Sequence, residues 1–158
     1  MRQNIFQFMF LVFFAVIIVY SCDQRRIYEK YTSIPGAIWK RDNIITYNIN
    51  ISDTVTPHNL LVDIRNKGNY RFSNLFLFIT ISSPDARTVR DTFECFLADE
   101  KGKWLGRGIG DIYDNQIPYK KNIVFPKKGK YIFRIEQAMR VEYLADISDV
   151  GFRIEKAN

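Results

Sequence analysis

Apolar and polar residues alternate along much of the chain beyond residue 40. In residues 44–51, Ile45 and Tyr47 share one face with two further isoleucines, while threonine and asparagine occupy the other face. This period of two predicts a half-buried β-strand. Residues 59–65 repeat the period and are followed by turn-forming residues at 66–69, which predicts a second strand and its turn.

Residues 75–81 are apolar at almost every position. That pattern fits a central strand covered on both faces, and it also fits a strand whose outer face is an interaction surface. Residues 88–97 alternate again, and the turn-forming residues between these two segments predict an antiparallel hairpin. Short strand-like stretches at 121–125, 131–135 and 150–154 predict three more strands.

Three segments lack a sustained strand period. Residues 98–116 are glycine-rich, which predicts a long loop with short strand fragments. Residues 137–145 show a weak helical spacing, and residues 23–38 predict a tether that then docks on the domain.

Short strands separated by turns favour an all-β fold, namely a single antiparallel β-sandwich of jelly-roll or immunoglobulin-like topology. The pattern does not choose between these two topologies. We expect the sandwich domain to occupy residues 41–158, after a tether and docking segment at 22–40.

The amino terminus has the layout of a signal peptide. Arg2 precedes an apolar run at 5–20, which is short for a membrane span and is followed at once by charged residues. Residues 19–22 resemble the bacterial lipobox. The resemblance implies that residues 1–21 are removed and that Cys22 carries a diacylglycerol, with its new amino group open to acylation, for example by palmitate. The alternative is an ordinary signal that leaves Cys22 as a thiol, or an uncleaved anchor.

Composition narrows the possible classes of protein. The 137 residues left after removal of a 21-residue signal suit one domain. The whole chain has a net charge of +6, which favours some attraction to anionic lipid or polymer, while the export signal disfavours nucleic-acid binding. Once Cys22 carries lipid, only Cys95 remains, so no disulfide forms within the domain. Its strand position predicts a small buried residue.

The sequence shows no assembled catalytic or metal-binding motif. His58 is the single histidine, and no serine lies in a G-x-S-x-G turn that would make it a nucleophile. One histidine and one free cysteine cannot supply the usual zinc ligands. Asp111 and Asp114 lack EF-hand spacing, so turn formation explains them better than calcium binding. We therefore expect no catalytic residues, no metal and no cofactor beyond the covalent lipid on Cys22.

An aromatic, glycine-rich segment is the candidate interaction surface. Aromatic rings beside amides and acids are common in protein-binding and sugar-binding surfaces. In the alternative interpretation, the two largest rings pack over an open end of the sandwich. The residues of the candidate surface are Trp104, Asp111, Tyr113, Asp114, Asn115 and Gln116.

Longer runs of residues resemble the gliding-motility lipoprotein GldH family of Bacteroidota. The resemblance covers nearly the whole mature chain and is carried by residues 65–79, 83–85, 90–92, 97–99, 102–106, 110–116, 118–120, 139–141 and 150–151. It implies a lipid-anchored envelope protein that works in gliding beside other Gld proteins, some of which belong to the type IX secretion system. It implies no catalytic residue, and only the lipidated Cys22 is carried over.

These observations lead to two hypotheses of different classes. The first is a non-enzymatic, lipid-anchored accessory or scaffold of the gliding and secretion-linked envelope machinery, placed on the outer membrane on family grounds. Its partners would be the membrane and other envelope proteins. The alternative is an envelope glycan-binding module in which Trp104 or Tyr113 stacks on a sugar ring.

Overall fold

The computed structural model describes residues 24–158, and this part of the chain consists almost entirely of β-strands. One short 3-10 turn, Pro35–Ala37, interrupts them. The strands are β1 (Arg26–Ser33), β2 (Ile38–Lys40), β3 (Ile45–Ile51), β4 (His58–Lys67), β5 (Asn74–Ser82), β6 (Thr88–Phe96), β7 (Arg107–Ile109), β8 (Ile112–Ile123), β9 (Gly129–Gln137), β10 (Tyr143–Ala145) and β11 (Ile147–Lys156).

Two antiparallel sheets form the domain. The five-stranded sheet has the order β1-β11-β4-β8-β7, and the four-stranded sheet has the order β3-β9-β5-β6. A small ladder pairs β10 with β2. The all-β, antiparallel sandwich predicted from the sequence is confirmed. Its strand order, with the first and last strands adjacent and each sheet taking strands from both halves of the chain, is that of a jelly roll.

The core lies between the two sheets and is built from the apolar positions of the alternating strands. In β3 the residues alternate strictly between buried and exposed, as their period predicts. Phe133 on one sheet contacts Phe152 on the other, with ring centroids 4.5 Å apart, and both side chains are fully buried. Burial of one such ring stabilises the fold by roughly 1.5–3 kcal/mol. Trp39 closes this core at one end and donates its Nε1–H to the carbonyl of Asn43 at 2.9 Å.

Several sequence predictions are confirmed in detail, and others need correction. β5 and β6 form the predicted hairpin, with Asn74 opposite Phe96 and Ser82 opposite Thr88. The long loop predicted at 98–116 is wrong in its last part, because β8 begins at Ile112. The weak helical spacing at 137–145 is also wrong, since the segment there ends in β10.

The N-terminal segment docks as an edge strand. β1 pairs with β11 from Arg26 opposite Glu155 to Ser33 opposite Asp149. The sheets therefore already include residues ahead of 41, where the sequence places the start of the sandwich. The local sequence of β1 shows no clear period because none of its residues is fully buried; all are exposed or half-buried.

The sandwich has two ends, which we name by their relation to β1. At the proximal end β1 and β4 begin, β11 ends, and the loops 52–57, 83–87 and 124–128 connect the strands. The distal end carries the loops 68–73, 97–106 and 138–142. β4 has 10 residues, and at about 3.3 Å per residue the two ends lie roughly 30 Å apart.

Candidate functional site

Cys22, the predicted site of lipid attachment, lies outside the described residues, so its lipidation stays a prediction. β1 begins at Arg26, four residues later in the chain. The chain therefore holds the Cα of Cys22 within about 14 Å of the start of β1, because an extended residue spans at most ~3.6 Å.

An aromatic cluster closes the distal end of the sandwich. The Trp104 ring lies 5.6 Å from the Tyr113 ring and 6.4 Å from the Tyr70 ring, measured between centroids, and Phe72 contacts Tyr70 at 5.7 Å. Tyr70 is buried, its hydroxyl donates to the carbonyl of Asn74, and burial raises the pKa of its phenol. Trp104 is half-buried against the core. This packing favours the interpretation in which Trp104 and Tyr113 cover an open end.

The loop that carries Trp104 is held by local hydrogen bonds. The Asp99 carboxylate accepts from the backbone N–H of Lys101 and of Lys103, both at 2.9 Å. A bridge between Ala98 and Trp104 then returns the chain to the sheet. Asp99 thus forms a turn that positions the indole, which is the usual role of an aspartate in a tight loop.

The other predicted surface residues do not form one patch. Asn115 is buried, and its Nδ2 donates to Asn66 Oδ1 at 2.9 Å and to the carbonyl of Ile64 at 3.1 Å. Asp114 and Gln116 lie on the opposite face of β8, because neighbouring residues of a strand point to opposite sides. Asp111 is exposed in the turn between β7 and β8. The structure therefore places Trp104 and Tyr113 in the aromatic cluster, while Asp114, Asn115 and Gln116 line a separate depression beside Gly106 and Arg107.

The outer face of the five-stranded sheet carries a charged cluster that the sequence analysis missed. The Arg65 guanidinium stacks over the Tyr31 ring, 3.9 Å from its centroid. The same guanidinium donates through Nε and Nη2 to Asp114 Oδ2, each at 3.2 Å. These three side chains come from β1, β4 and β8, so they meet only once the sheet has formed.

Asp63 lies beneath this cluster. It is fully buried, and neither carboxylate oxygen has a hydrogen-bond partner among the described residues. Burial raises its pKa to about 6; the Gln116 side chain opposes this shift without reaching hydrogen-bonding geometry. Gly151 lies opposite Asp63 on β11, and a Cβ at Gly151 would come within 2.9 Å of the Asp63 Cβ and of the Tyr31 ring. The glycine is therefore required by the close approach of these side chains.

A second ionic group lies on the same face, toward the proximal end. Arg153 is 7% exposed and donates to Glu29 Oε1 at 3.2 Å and to Glu155 Oε2 at 2.8 Å. Partial burial raises the pKa of the Glu29 carboxyl, but hydrogen bonds from Arg26 and Arg153 outweigh it and the pKa is lowered. These contacts fasten β1 to β11 through side chains as well as through the backbone.

The outer face of the four-stranded sheet is apolar where β5 crosses its distal half. Phe76 and Phe78 project from β5 and are half-buried, and together with Met139 and Val141 they line a groove of about 530 Å³. Arg90 stacks over the Phe78 ring at 4.5 Å from its centroid. The apolar pattern at 75–81 fitted either a strand covered on both faces or a strand with an uncovered outer face. In the structure the outer face of β5 is only half-buried, which agrees with the second explanation.

The reactive residue types are placed as structural groups. Cys95 is fully buried, and burial raises the pKa of its thiol. His58 is 1% exposed, contacts the Phe125 ring at 5.4 Å between centroids, and has its pKa lowered by burial. Within residues 24–158 no group of three or more His, Cys, Asp or Glu side chains is placed to hold a metal ion. Across that same range, no helix is long and apolar enough to span a membrane.

Fold and surfaces define the class of protein: a single all-β domain of jelly-roll topology with two distinct outer faces. Comparison with known proteins identifies the family. The model of the GldH lipoprotein family matches residues 26–154. The gliding motility lipoprotein GldH of Flavobacterium johnsoniae is 38% identical over 153 residues, which cover 92% of this chain and 94% of its own length. This chain belongs to the GldH lipoprotein family.

A second relative has the same extent of similarity. The gliding motility lipoprotein GldH homolog of Christiangramia forsetii is 38% identical over 156 residues, 94% of this chain and 95% of its own. Since both relatives match over almost their full length, the similarity includes the N-terminal segment as well as the sandwich. Family membership is consistent with a lipid-anchored protein of the cell envelope.

Solved structures show only a distant likeness. A carbohydrate-binding module specific for non-crystalline cellulose aligns with a TM-score of 0.43 and 9% identity, over 82% of this chain and 74% of the module. A 4-O-methyl-α-glucuronidase of family GH115 aligns with a TM-score of 0.43 and 12% identity, over 87% of this chain and 18% of the enzyme. Similarity at this level does not define a shared function.

Proposed function

We propose that this protein is a non-enzymatic, lipid-anchored accessory or scaffold of the gliding motility machinery and its associated type IX secretion system. Lipid on Cys22 holds it on the outer membrane, and the sandwich contacts another envelope protein. The observation that carries the proposal is the near full-length match to relatives named as gliding motility lipoproteins. The burial of Cys95 and His58 adds support, because neither side chain is open to a substrate.

A scaffold needs a surface for its partner, and we place that surface at the apolar groove on the four-stranded sheet. The floor of the groove is formed by Phe76 and Phe78. Its rim carries three basic residues and one acidic one: Arg140 lies beside the floor, Arg90 pairs there with Glu136 at 3.3 Å, and Arg41 donates a hydrogen bond to the carbonyl of Met139 at 3.1 Å. Charge complementarity therefore calls for a protein segment with apolar and acidic side chains.

The position of the groove agrees with this role. Its residues lie in the distal half of the sheet, away from the start of β1. A protein held through Cys22 would thus present the groove on the side that faces away from its membrane. Half-buried aromatic rings in a groove are the kind of site in which a partner's anchor residues become fully buried.

The test of the partner surface is crosslinking in cells, followed by purification of the tagged protein and identification of the crosslinked partners. The variant is Arg140→Glu, which reverses one charge on the rim. The matched control is Arg71→Glu, which makes the same change at an exposed distal position outside the groove. Loss of a gliding or secretion component in the Arg140 variant alone would support the proposal. Equal recovery from both variants would contradict it.

The lipid anchor has a separate test. Cys22→Ala should release the protein from the membrane fraction without unfolding the sandwich, because the strands begin only at Arg26. Fractionation of cells and circular dichroism of the released protein measure the two effects. Unchanged membrane partition of the folded variant would refute anchoring at Cys22.

The glycan-binding alternative rests on Trp104 and Tyr113. A sugar ring would need one open face of an aromatic ring, but Trp104 packs between Tyr70 and Tyr113 and is half-buried. Saturable binding of envelope polysaccharide that is lost in Trp104→Ala, with the sandwich still folded, would favour this alternative over the scaffold.

A further inference from the structure

The loops at the proximal end form one continuous surface. Lys127 in the loop after β8 pairs with Asp85 in the β5–β6 turn, at 3.0 Å between Nζ and Oδ2. The backbone N–H of Ala157 donates to the carbonyl of Pro57 at 2.9 Å, which joins the end of the chain to the β3–β4 loop. We call this surface the proximal surface.

Basic residues dominate the proximal surface. Seven of them are exposed: Arg25, Arg26, Arg87, Lys127, Lys128, Lys130 and Lys156. The acidic residues of the proximal loops, Asp53 and Asp85, are half-buried. By contrast, the distal loops expose the acidic residues Glu100 and Glu142 beside their basic residues. The exposed charges at the end nearest Cys22 are therefore basic.

The acidic residues at the proximal end are engaged in local contacts. Asp53 accepts hydrogen bonds from the backbone N–H of Val55 and of Thr56, both at 2.9 Å, so it shapes its own loop. Asp85 pairs with Arg87 as well as with Lys127. These carboxylates hold the loops in place, while the side chains of Lys128, Lys130 and Lys156 are exposed.

Two apolar side chains project among these charges. Val55 is 83% exposed at the tip of the loop that Asp53 orders, and Val124 is 47% exposed just after β8. His58 pairs with Ile123 across the ladder between β4 and β8, which brings the two loops side by side. Apolar tips surrounded by basic residues are the combination that binds the interface of an anionic membrane.

From this arrangement we infer that the proximal surface docks directly on the anionic lipid headgroups of the membrane, with Val55 and Val124 inserted at the interface. This inference deepens the proposed function and rests on it for the position of the lipid at Cys22. Arg26 follows Cys22 by four positions, a distance of at most about 14 Å between their Cα atoms, so the lipid and the surface reach the same bilayer together. Two attachments fix the orientation of the sandwich, with its distal end turned away from the lipid.

The test measures binding of the unlipidated domain to vesicles. Residues 24–158 contain both complete sheets and the core between them, so this part of the chain is used without its lipid. We expect it to sediment with vesicles of phosphatidylethanolamine and phosphatidylglycerol at low salt, and to bind much less to zwitterionic vesicles of phosphatidylcholine. Salt should weaken the binding, because exposed charges are screened.

Matched variants locate the surface. Lys128→Gln with Lys130→Gln should weaken binding to the anionic vesicles by roughly 25-fold, at about fivefold for each lysine. The control, Lys101→Gln with Lys103→Gln, removes the same charge at the distal end and should leave binding unchanged. Val55→Asp should also weaken binding, and circular dichroism verifies that every variant is folded.

The outcomes separate this inference from the proposed function. No binding of the domain to anionic vesicles, or equal losses in the proximal and distal variants, would overturn the docking surface. Neither result would bear on the proposal that lipid on Cys22 anchors the protein, which is tested by Cys22→Ala in cells. Conversely, release of the wild-type protein from membranes would refute the anchor even if the domain binds vesicles.

Discussion

The replacement Asp63→Asn tests how the buried carboxylate affects the stability of the sandwich. The change keeps the shape of the side chain and removes its ionisation. Asp63 is fully buried without a hydrogen-bond partner among the described residues, and burial raises its pKa from 3.8 to about 6. At about 1.4 kcal/mol per pH unit, keeping this carboxylate ionised in the folded state costs roughly 3 kcal/mol at neutral pH. We expect Asp63→Asn to raise the free energy of unfolding by up to about that amount.

The dependence on pH follows from the sign of the pKa change. Because the folded state holds the proton of Asp63 more tightly than the unfolded state does, wild-type stability falls as pH rises from about 4 to about 6. Below that window both states are protonated and the cost disappears, whereas above it the full cost remains. The stability difference between variant and wild type should therefore be small near pH 3.5 and reach its plateau by about pH 7.

Urea unfolding of both proteins across this pH range measures the difference directly. Asp114→Asn is the matched control, because Asp114 lies on the same face but is partly exposed and paired with Arg65. We expect that control to change stability by no more than about 1 kcal/mol. A variant of Asp63 that is less stable than wild type at neutral pH, or a difference that does not vary with pH, would refute this account of Asp63.

Three further predictions concern packing. Gly151→Ala should destabilise the sandwich by about 2 kcal/mol in urea unfolding, because the new Cβ would lie 2.9 Å from the Tyr31 ring; an unchanged midpoint would mean that the ring moves aside freely. Trp104→Ala should cost about 2 kcal/mol, since the indole packs against the core; full stability would instead show that Trp104 is a free surface ring. Cys95 is fully buried, so thiol reagents should label it only after unfolding, and rapid labelling of the native protein would contradict that burial.

The alternating strands were the most predictable part of this fold. β3 and the β5–β6 hairpin follow from local pattern alone, because one face of each strand packs on the core and the hairpin closes through a short turn. For β1 the local pattern predicts only a docking tether, because an edge strand rich in charged residues has little local period. For the first part of β8 it predicts a loop, for a related reason: polar residues such as Asn115 occupy the inner face of β8, where a buried hydrogen-bond network replaces apolar packing.

The surfaces were less predictable than the strands. Asp63 occupies a polar position in an alternating strand, and such positions usually face solvent. Its burial depends on the Tyr31 ring, which comes from β1 and packs beside Asp63 over Gly151 of β11. The one local signal was Leu61, an apolar residue on the same outward face, which is 7% exposed. An apolar residue at an outward position indicates that other side chains cover that face, but the local sequence does not identify them.

The pairing of β1 with β11 also determines how the domain bears mechanical load. With the proposed lipid at Cys22 and the proposed partner at the groove in the distal half, a pull between membrane and partner would load the beginning of β1, and tension would run along the strand. The ladder between β1 and β11 joins seven residue pairs, with hydrogen bonds perpendicular to that direction. A force along the strand shears these bonds together, whereas a force across the strand would open them one after another. The jelly-roll order would thus give a domain tethered through β1 a joint that keeps the first strand from being sheared off the sheet.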